Sequence, residues 1–438
     1  MIDVVHITPH LGGGIGKAII GLCESTKVYG IRSRIILLEE PEKPMIIENA
    51  INKGVDVVFS PDEVAAKEVI NNADIIIVNW WDHPLSNKFL YNNNTDSRFV
   101  IWCHTNGCSY PYFSPDFLLQ FDRILFTTPY SLMNETWDEN KKQRIMRNSS
   151  VVYGFGDFEA SRIKCRTSYK CGNKIRIGYA GTLNYSKMFP GYIDYIDTVF
   201  DFVDNVEIHF AGDISDDLRK DIDESSYRSK YILDGYVLDM DAWYDSIDIF
   251  LYLLNPSHYG TTENSILEAM SRGLPVVLMN NAAERCISGD GEGAILISDN
   301  RQFVREIKKL CKDITYREKT GVAGRKYACK HYSSKINIIM FAETMSDIMM
   351  TCKKTKHDFV ECIGKSPIEW FLSSTGNDRN IFERFMTTGE TKDLYELLSR
   401  KAIYTVETKS SINQFFSYFT DDKKLKTLKE VIQKEQNK

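Results

Sequence analysis

Short apolar runs, each too brief to make a helix, alternate along this chain with longer stretches whose apolar residues return every three or four positions. A run that is apolar throughout has no solvent side. It reads as a strand buried on both faces, and such strands belong to parallel sheets sandwiched between helices. The alternation therefore predicts an α/β fold. A first set of strands is expected at Val4 to Thr8, Arg34 to Leu38, Val55 to Phe59, Asp74 to Asn79, Phe99 to Cys103, Arg123 to Phe126 and Ser150 to Val152. Polar residues from Glu159 to Asn173 read as a linker, after which the pattern restarts. A second set is expected at Ile175 to Tyr179, Val206 to Phe210, Tyr231 to Leu233, Ile249 to Leu253, Pro275 to Leu278 and Ala294 to Ile297.

The expected boundaries are a first Rossmann-like domain at 1–162, a second at 172–330, a long helix at 331–352 and a helical appendage at 353–438. Two α/β units of similar size are expected to place ligands at the carboxyl ends of their strands, with two such edges facing across a cleft. The net charge of -6, with no basic stripe, argues against a nucleic-acid partner. The ten Cys show no zinc spacing, Cys165 and Cys171 included, and they read as reduced thiols. No signal peptide pattern and no membrane-length apolar run is seen, so the expected location is cytoplasmic.

Two segments carry phosphate-binding chemistry. Gly12-Gly13-Gly14-Ile15-Gly16-Lys17 follows the first strand and leads into a helix expected from Ala18 to Lys27. Glycines let backbone amides approach an anion, and a helix N-terminus adds partial positive charge. The spacing fits neither a Walker A motif nor G-x-G-x-x-G, and a plain tight turn explains it equally well. The second segment runs from Asn255 to Val277. It reads as a loop, a helix beginning near Thr261 or Thr262, a stop at Gly273 and a buried strand. Glu268 and Arg272 at i,i+4 would form a surface pair worth about 0.2–0.5 kcal/mol.

The stretch Leu267-Glu268-Ala269-Met270-Ser271-Arg272-Gly273-Leu274-Pro275-Val276-Val277 resembles the "LEAMACGxPVV" signature of the large retaining GT-B glycosyltransferase family that carries E-x7-E, glycosyl transferases group 1. Other pieces follow in the family's order across residues 2–352. They are Val100 to His104, Ile177 to Leu183 with Lys187, His209 to Asp213, Tyr244 to Pro256 and Glu284 to Ala294. The resemblance implies two Rossmann-like domains with a crossing C-terminal helix, and transfer of a sugar from a nucleotide-diphosphate donor with retention. It implies that Glu268 binds the ribose, Lys187 neutralises the diphosphate and His104 contacts the donor sugar. Gly13, Gly14 and Gly16 would face the phosphates, and Thr182, Tyr236, Thr261, Thr262 and Asn264 would complete the donor-binding set. No cofactor and no metal is implied. The acceptor would be a carbohydrate, glycolipid or glycoprotein, in surface polysaccharide or glycoconjugate assembly. The appendage lies beyond the resemblance and is expected to be dispensable for nucleotide binding.

Some positions depart from the family. Gly260 stands where the first Glu of E-x7-E belongs, Thr182 where an Arg belongs, and Thr105 where Asp often follows the histidine. Glu263, the nearest carboxylate, is five residues before Glu268, about 140° around a helix, so the two do not share a face. Glu263 is expected in the first turn, reaching sugar hydroxyls, with a helix-dipole role as the alternative. Asp239-Met240-Asp241 spells D-x-D but reads as a helix start. His104, Trp80, Trp81, Tyr110, Tyr112 and Phe113 serve either as ligand contacts or as packing. Lys141, Lys142, Arg144 and Arg147 form either a solvated helix face or a peripheral membrane contact. Two other function classes remain open: a non-catalytic GT-B partner subunit and a nucleotide-sugar epimerase.

Overall fold

The computed structural model describes every residue except 41–43, 60–62, 93–94, 156–158, 167–168, 170–173, 354–356, 406–408 and 437–438. Cys171 and part of the expected linker therefore lie outside the described residues. The chain divides into two compact units. The first holds Met1–Asp157, Tyr259–Thr261 and Ile336–Lys438, and the second holds Phe158–His258 and Thr262–Lys335.

The first unit is built on a seven-stranded sheet: β1 (Ile2–Thr8), β2 (Ile31–Leu37), β3 (Asp56–Phe59), β4 (Ile75–Trp80), β5 (Arg98–Cys103), β6 (Arg123–Phe126) and β7 (Ser149–Val151). Their order is β3-β2-β1-β4-β5-β6-β7, and every pairing is parallel. The order reverses between β1 and β4, which is where open α/β sheets place ligands. Buried β4 reads Ile-Ile-Ile-Val-Asn-Trp, apolar on both faces as the parallel arrangement requires.

The second unit has six parallel strands: β8 (Ile175–Ala180), β9 (Val206–Ala211), β10 (Tyr231–Gly235), β11 (Ile249–Tyr252), β12 (Val276–Met279) and β13 (Ile295–Ile297). Their order is β10-β9-β8-β11-β12-β13, the same switch in plan. Each of the thirteen strands lies within a few residues of its expected place.

The C-terminal region departs from expectation. The long helix runs Ser334–Met349 and buries Phe341, Met345 and Ile348 against the first unit. The segment expected as an appendage is instead part of the first unit's core. Phe359, Trp370, Phe371, Phe382, Leu397, Phe415 and Leu428 form one buried cluster with Trp80, Phe99, Phe117 and Phe121. Polar contacts add to it: Ser410 Oγ donates to the Trp81 carbonyl at 2.8 Å, and the Tyr110 hydroxyl donates to the Ser410 carbonyl.

Candidate functional site

In the second unit, β8 ends at a tight turn. Gly181 follows with φ of 148° and Gly212, after β9, has φ of 144°. A Cβ on Gly212 would meet the Gly181 carbonyl oxygen at 2.0 Å, so no other residue fits there. That close approach brings the turn through Thr182 and Leu183 toward Lys187. The Lys187 amide is held by Asn184 Oδ1 at 3.1 Å.

Lys187 Nζ stands 3.1 Å from Glu263 Oε2, and both side chains are mostly buried. The Tyr252 hydroxyl donates to the same carboxylate oxygen at 3.1 Å. Tyr252 in turn stacks on Tyr179, with ring centroids 4.7 Å apart, and its ring lies 5.5 Å from the ammonium, within cation–π range. Burial pushes the Glu263 carboxyl up, but the charge of Lys187 outweighs it, with help from His258 and two hydrogen bonds. The net effect is a pKa below the ordinary range. The group is a carboxylate at neutral pH.

The helix that follows is Asn264–Ser271, so it starts later than Thr261 or Thr262. Glu263 is its N-cap, one residue before the first turn, and makes no side-chain cap bond. Its charge is engaged by Lys187 instead. Phosphate-holding Lys and sugar-contacting Glu were expected as separate groups, and the structure brings them together. Thr262 is buried in this unit, whereas Thr261 belongs to the other. Asn264 Oδ1 is buried without a hydrogen-bond partner at the open end of the helix.

One turn on, Glu268 hydrogen-bonds the buried Tyr244 hydroxyl. Arg272 lies over the Tyr244 ring at 4.4 Å and pairs with Asp241. Asp239 caps the Met240–Ser246 helix, accepting from the Ala242 amide at 2.9 Å, so D-x-D is a helix start. Tyr236, after Gly235 at the end of β10, is 74% exposed.

Sequence reasoning missed Tyr252 and Glu284 as members of this site. Tyr252 sits in an apolar run that reads as core, and Glu284, among polar residues, reads as an exposed first-turn acid. Glu284, in the first turn of the Ala282–Ser288 helix, is buried and its Oε2 has no partner. Burial, chiefly, raises its carboxyl to about 7, and the Glu263 charge adds to the rise. The folded state therefore holds a proton that an unfolded Glu releases near 4.5. Between those two values the native state binds more protons, so stability falls as pH rises and levels off above about 7. Glu284→Gln is expected to flatten that slope and to stabilise the protein at pH 8 by roughly 1–3 kcal/mol. Urea melts of both proteins from pH 4.5 to 8.5 test this, and parallel curves would contradict it.

In the first unit the glycine segment is helical from Gly13, since the first helix is Gly13–Ser25 and not Ala18 to Lys27. Gly12 is the N-cap, Gly13 and Gly14 are exposed, and Gly16 is buried. A Cβ on Gly16 would sit 1.7 Å from the Leu11 carbonyl oxygen, so this glycine is required by packing.

His104 follows β5 at the carboxyl edge. Asn79 Nδ2 donates to the Ile7 carbonyl at 3.1 Å, which turns Asn79 Oδ1 toward His104 Nε2, also at 3.1 Å. His104 Nε2 is thus the donor. Burial, with Lys409 and His6 adding to it, lowers the imidazole to about 3, so the ring is neutral at physiological pH. Trp80, Trp81, Tyr110 and Phe113 are buried, which favours packing over sugar stacking. Ile145 anchors the Glu139–Arg147 helix while Arg144, Met146 and Arg147 are exposed and Lys141 pairs with Asp116.

Among the described residues one group has metal-like spacing, His10, Glu39 and His83 in the first unit, with ligand atoms within 4.8 Å of one another. Metal-bound imidazoles ordinarily donate from their second nitrogen. Here His10 Nδ1 and His83 Nδ1 both accept, from the Gly12 and Leu85 amides at 3.0 and 3.2 Å. That arrangement fits hydrogen bonding better than metal ligation.

Residues 174–313 match the model of the family described as glycosyl transferases group 1. No curated protein matches the chain. Among solved structures, Anabaena HepE in complex with UDP and glucose is 14% identical with a TM-score of 0.63, over 79% of this chain and all of that one. A glycosyltransferase from Rickettsia africae is 12% identical with a TM-score of 0.62, over 80% and 99%. Sucrose-phosphate synthase from Thermosynechococcus elongatus is 11% identical with a TM-score of 0.57, over 80% and 99%. The shared architecture is GT-B.

Proposed function

From a chain that belongs to the glycosyl transferases group 1 family through residues 174–313 and has the GT-B fold, we infer a glycosyltransferase that uses a nucleotide-diphosphate sugar. The observation that supports this best is the Lys187–Glu263 pair beside the glycine turn, at the N-terminal end of the Asn264–Ser271 helix. An ammonium, a helix N-terminus and turn amides make a diphosphate site. Glu268, one turn further along, is the ribose ligand in this reading, and Tyr236, Thr182, Thr262 and Asn264 line the donor. In the first unit His104, a neutral ring whose Nε2–H is given to Asn79, keeps the donor-sugar role that the resemblance assigns to it.

Transfer proceeds with retention, the leaving phosphate taking the acceptor proton while the protein positions the reactants and stabilises charge. Lys187 and the helix amides hold the diphosphate without a metal. The acceptor is a carbohydrate, glycolipid or glycoprotein in surface polysaccharide or glycoconjugate assembly. No described helix is long and apolar enough to cross a membrane. Gly260 and Thr182 remove two side chains the family uses, which favours a non-catalytic partner subunit as the second reading.

A thermal-shift panel of nucleoside diphosphates and nucleotide sugars, run with EDTA present, tests the proposal. A ligand at one hundred times its dissociation constant is expected to add about 2.7 kcal/mol of stability. No shift with any of them, or a shift that appears only with added magnesium or manganese, would refute the metal-free donor site. Slow release of sugar from the bound donor would separate the enzyme from a non-catalytic subunit.

A further inference from the structure

Within the first unit, three rings meet where the sheet reverses its order. His10 follows β1, while Trp81 and His83 follow β4. Ring centroids lie 5.4 Å apart for His10 and Trp81, 6.0 Å for Trp81 and His83, and 6.1 Å for His10 and His83. Asp82, between Trp81 and His83, has a φ of 58°, and residues held in that region cluster at functional sites.

Two N–H groups of this turn are unmet. His83 Nδ1 accepts from the Leu85 amide at 3.2 Å. Burial, with the charges of His10 and Lys409 adding to it, lowers the imidazole to about 3. His83 is therefore neutral, with its one proton on Nε2. That Nε2 and Trp81 Nε1 are both buried and have no hydrogen-bond partner among the described residues. A buried N–H without an acceptor costs free energy, and two of them on one turn call for a ligand that supplies acceptors.

The other walls settle which kind. Lys409 Nζ lies 5.3 Å from the Trp81 ring centroid. The Tyr418 ring stands 5.0 Å from His83, edge to face, and its hydroxyl donates to Glu39. A carboxylate oxygen of Glu39 lies within 4.8 Å of a nitrogen of His10 and of His83. Glu39 and Lys409 oppose one another in charge, so an anion gains little here. A hydroxyl suits the mixture, because it accepts from an N–H and donates to a carboxylate at once. Tyr418 is the most exposed of these groups, so it is the side chain that swings out as a ligand enters.

We propose that Trp81 Nε1, His83 Nε2 and Glu39 form a binding site for the hydroxyls of an uncharged sugar, with Trp81 using its N–H edge and not its face. Calling this sugar the acceptor rests on the transferase reading; the binding itself does not. Lys409 and Tyr418, which complete the site, lie outside the residues that match the family model.

Methyl glycosides of glucose, galactose, mannose and N-acetylglucosamine are the probes, followed on the indole N–H resonances of the full chain. Trp81→Phe identifies the Trp81 signal. At least one glycoside is expected to shift that signal saturably and to bind more tightly than glucose 1-phosphate. Trp81→Phe and His83→Phe should each weaken it about tenfold, the scale of one lost hydrogen bond, with UDP binding changed less than about twofold. Glu39→Gln leaves the buried rings in place and serves if those variants do not fold. It should weaken the glycoside and reverse the preference in favour of glucose 1-phosphate. A Trp81 signal that no glycoside moves overturns the proposal, and the unmet N–H groups then only face neighbouring rings. Tighter binding of glucose 1-phosphate to the parent also overturns it, as does equal weakening of glycoside and UDP. If the parent binds a glycoside but no nucleoside diphosphate, the donor reading falls and this site stands.

Discussion

A chain ended at Thr351 is expected to lose its first unit, giving insoluble protein or a species that melts without cooperativity. Residues past that point are not a separate module. Phe359, Trp370, Phe371, Phe382, Phe415 and Leu428 share one buried cluster with Trp80, Phe117 and Phe121. Removing them exposes both sides of that contact, and each buried large apolar side chain contributes roughly 1.5–3 kcal/mol. A handful of such losses is comparable with the 5–15 kcal/mol of a whole domain. Hydrogen bonds from the segment to the rest of the unit go as well, among them His357 to the Gln120 carbonyl at 2.9 Å and Ser410 Oγ to the Trp81 carbonyl at 2.8 Å. Solubility, dye binding and thermal melts of the shortened and full chains measure the effect. A soluble shortened protein with a sharp transition near that of the parent would contradict this view of the core, and would return the segment to the dispensable role its sequence suggests.

Lys187→Ala is expected to weaken nucleoside diphosphate binding about tenfold to a hundredfold while leaving nucleoside binding nearly unchanged, since a charge-assisted hydrogen bond is worth about 1.5–3 kcal/mol. It should also destabilise the free protein, because Glu263 would remain a buried carboxylate without its ammonium. Breaking a buried pair from one side typically costs about 3–5 kcal/mol, and partial exposure here places the expectation at the low end. Glu263→Gln alone should cut turnover yet leave diphosphate affinity intact or slightly tighter, because a carboxylate beside the phosphates is gone. The double variant should recover stability but not diphosphate affinity, with a coupling of about 1–3 kcal/mol between the positions. Urea melts and calorimetric titrations of all four proteins close the cycle. Additive stabilities, or equal loss of nucleoside and diphosphate binding, would refute the pairing or the phosphate role respectively.

The strands were legible because an all-apolar run bounded by turns has few other outcomes in a chain of this kind, and β4 and β11 show the rule at work. The start of the Asn264–Ser271 helix was not legible. Thr261 and Thr262 both look like caps, and nothing nearby reveals that the N-cap is Glu263, whose charge is met by Lys187, far away in sequence. The Lys187–Glu263 contact was hidden for the same reason: each residue carries a local signal, but their meeting depends on how β8 and β11 lie side by side. The C-terminal helices were misjudged because Phe359–Ile363 is too short to show a period, and Pro367–Ser373 is buried on more than one side, which erases the single apolar stripe that marks an amphipathic helix.

The chain path also has a consequence for synthesis. The first unit opens the chain and also closes it, with residues as late as Ile432 in its core. A ribosome adding about 5–20 residues per second releases all of the second unit before the first can be completed. Through that interval the apolar surface around Trp80, Phe99 and Phe117 lacks its cover, so the nascent chain exposes apolar side chains that the finished protein buries.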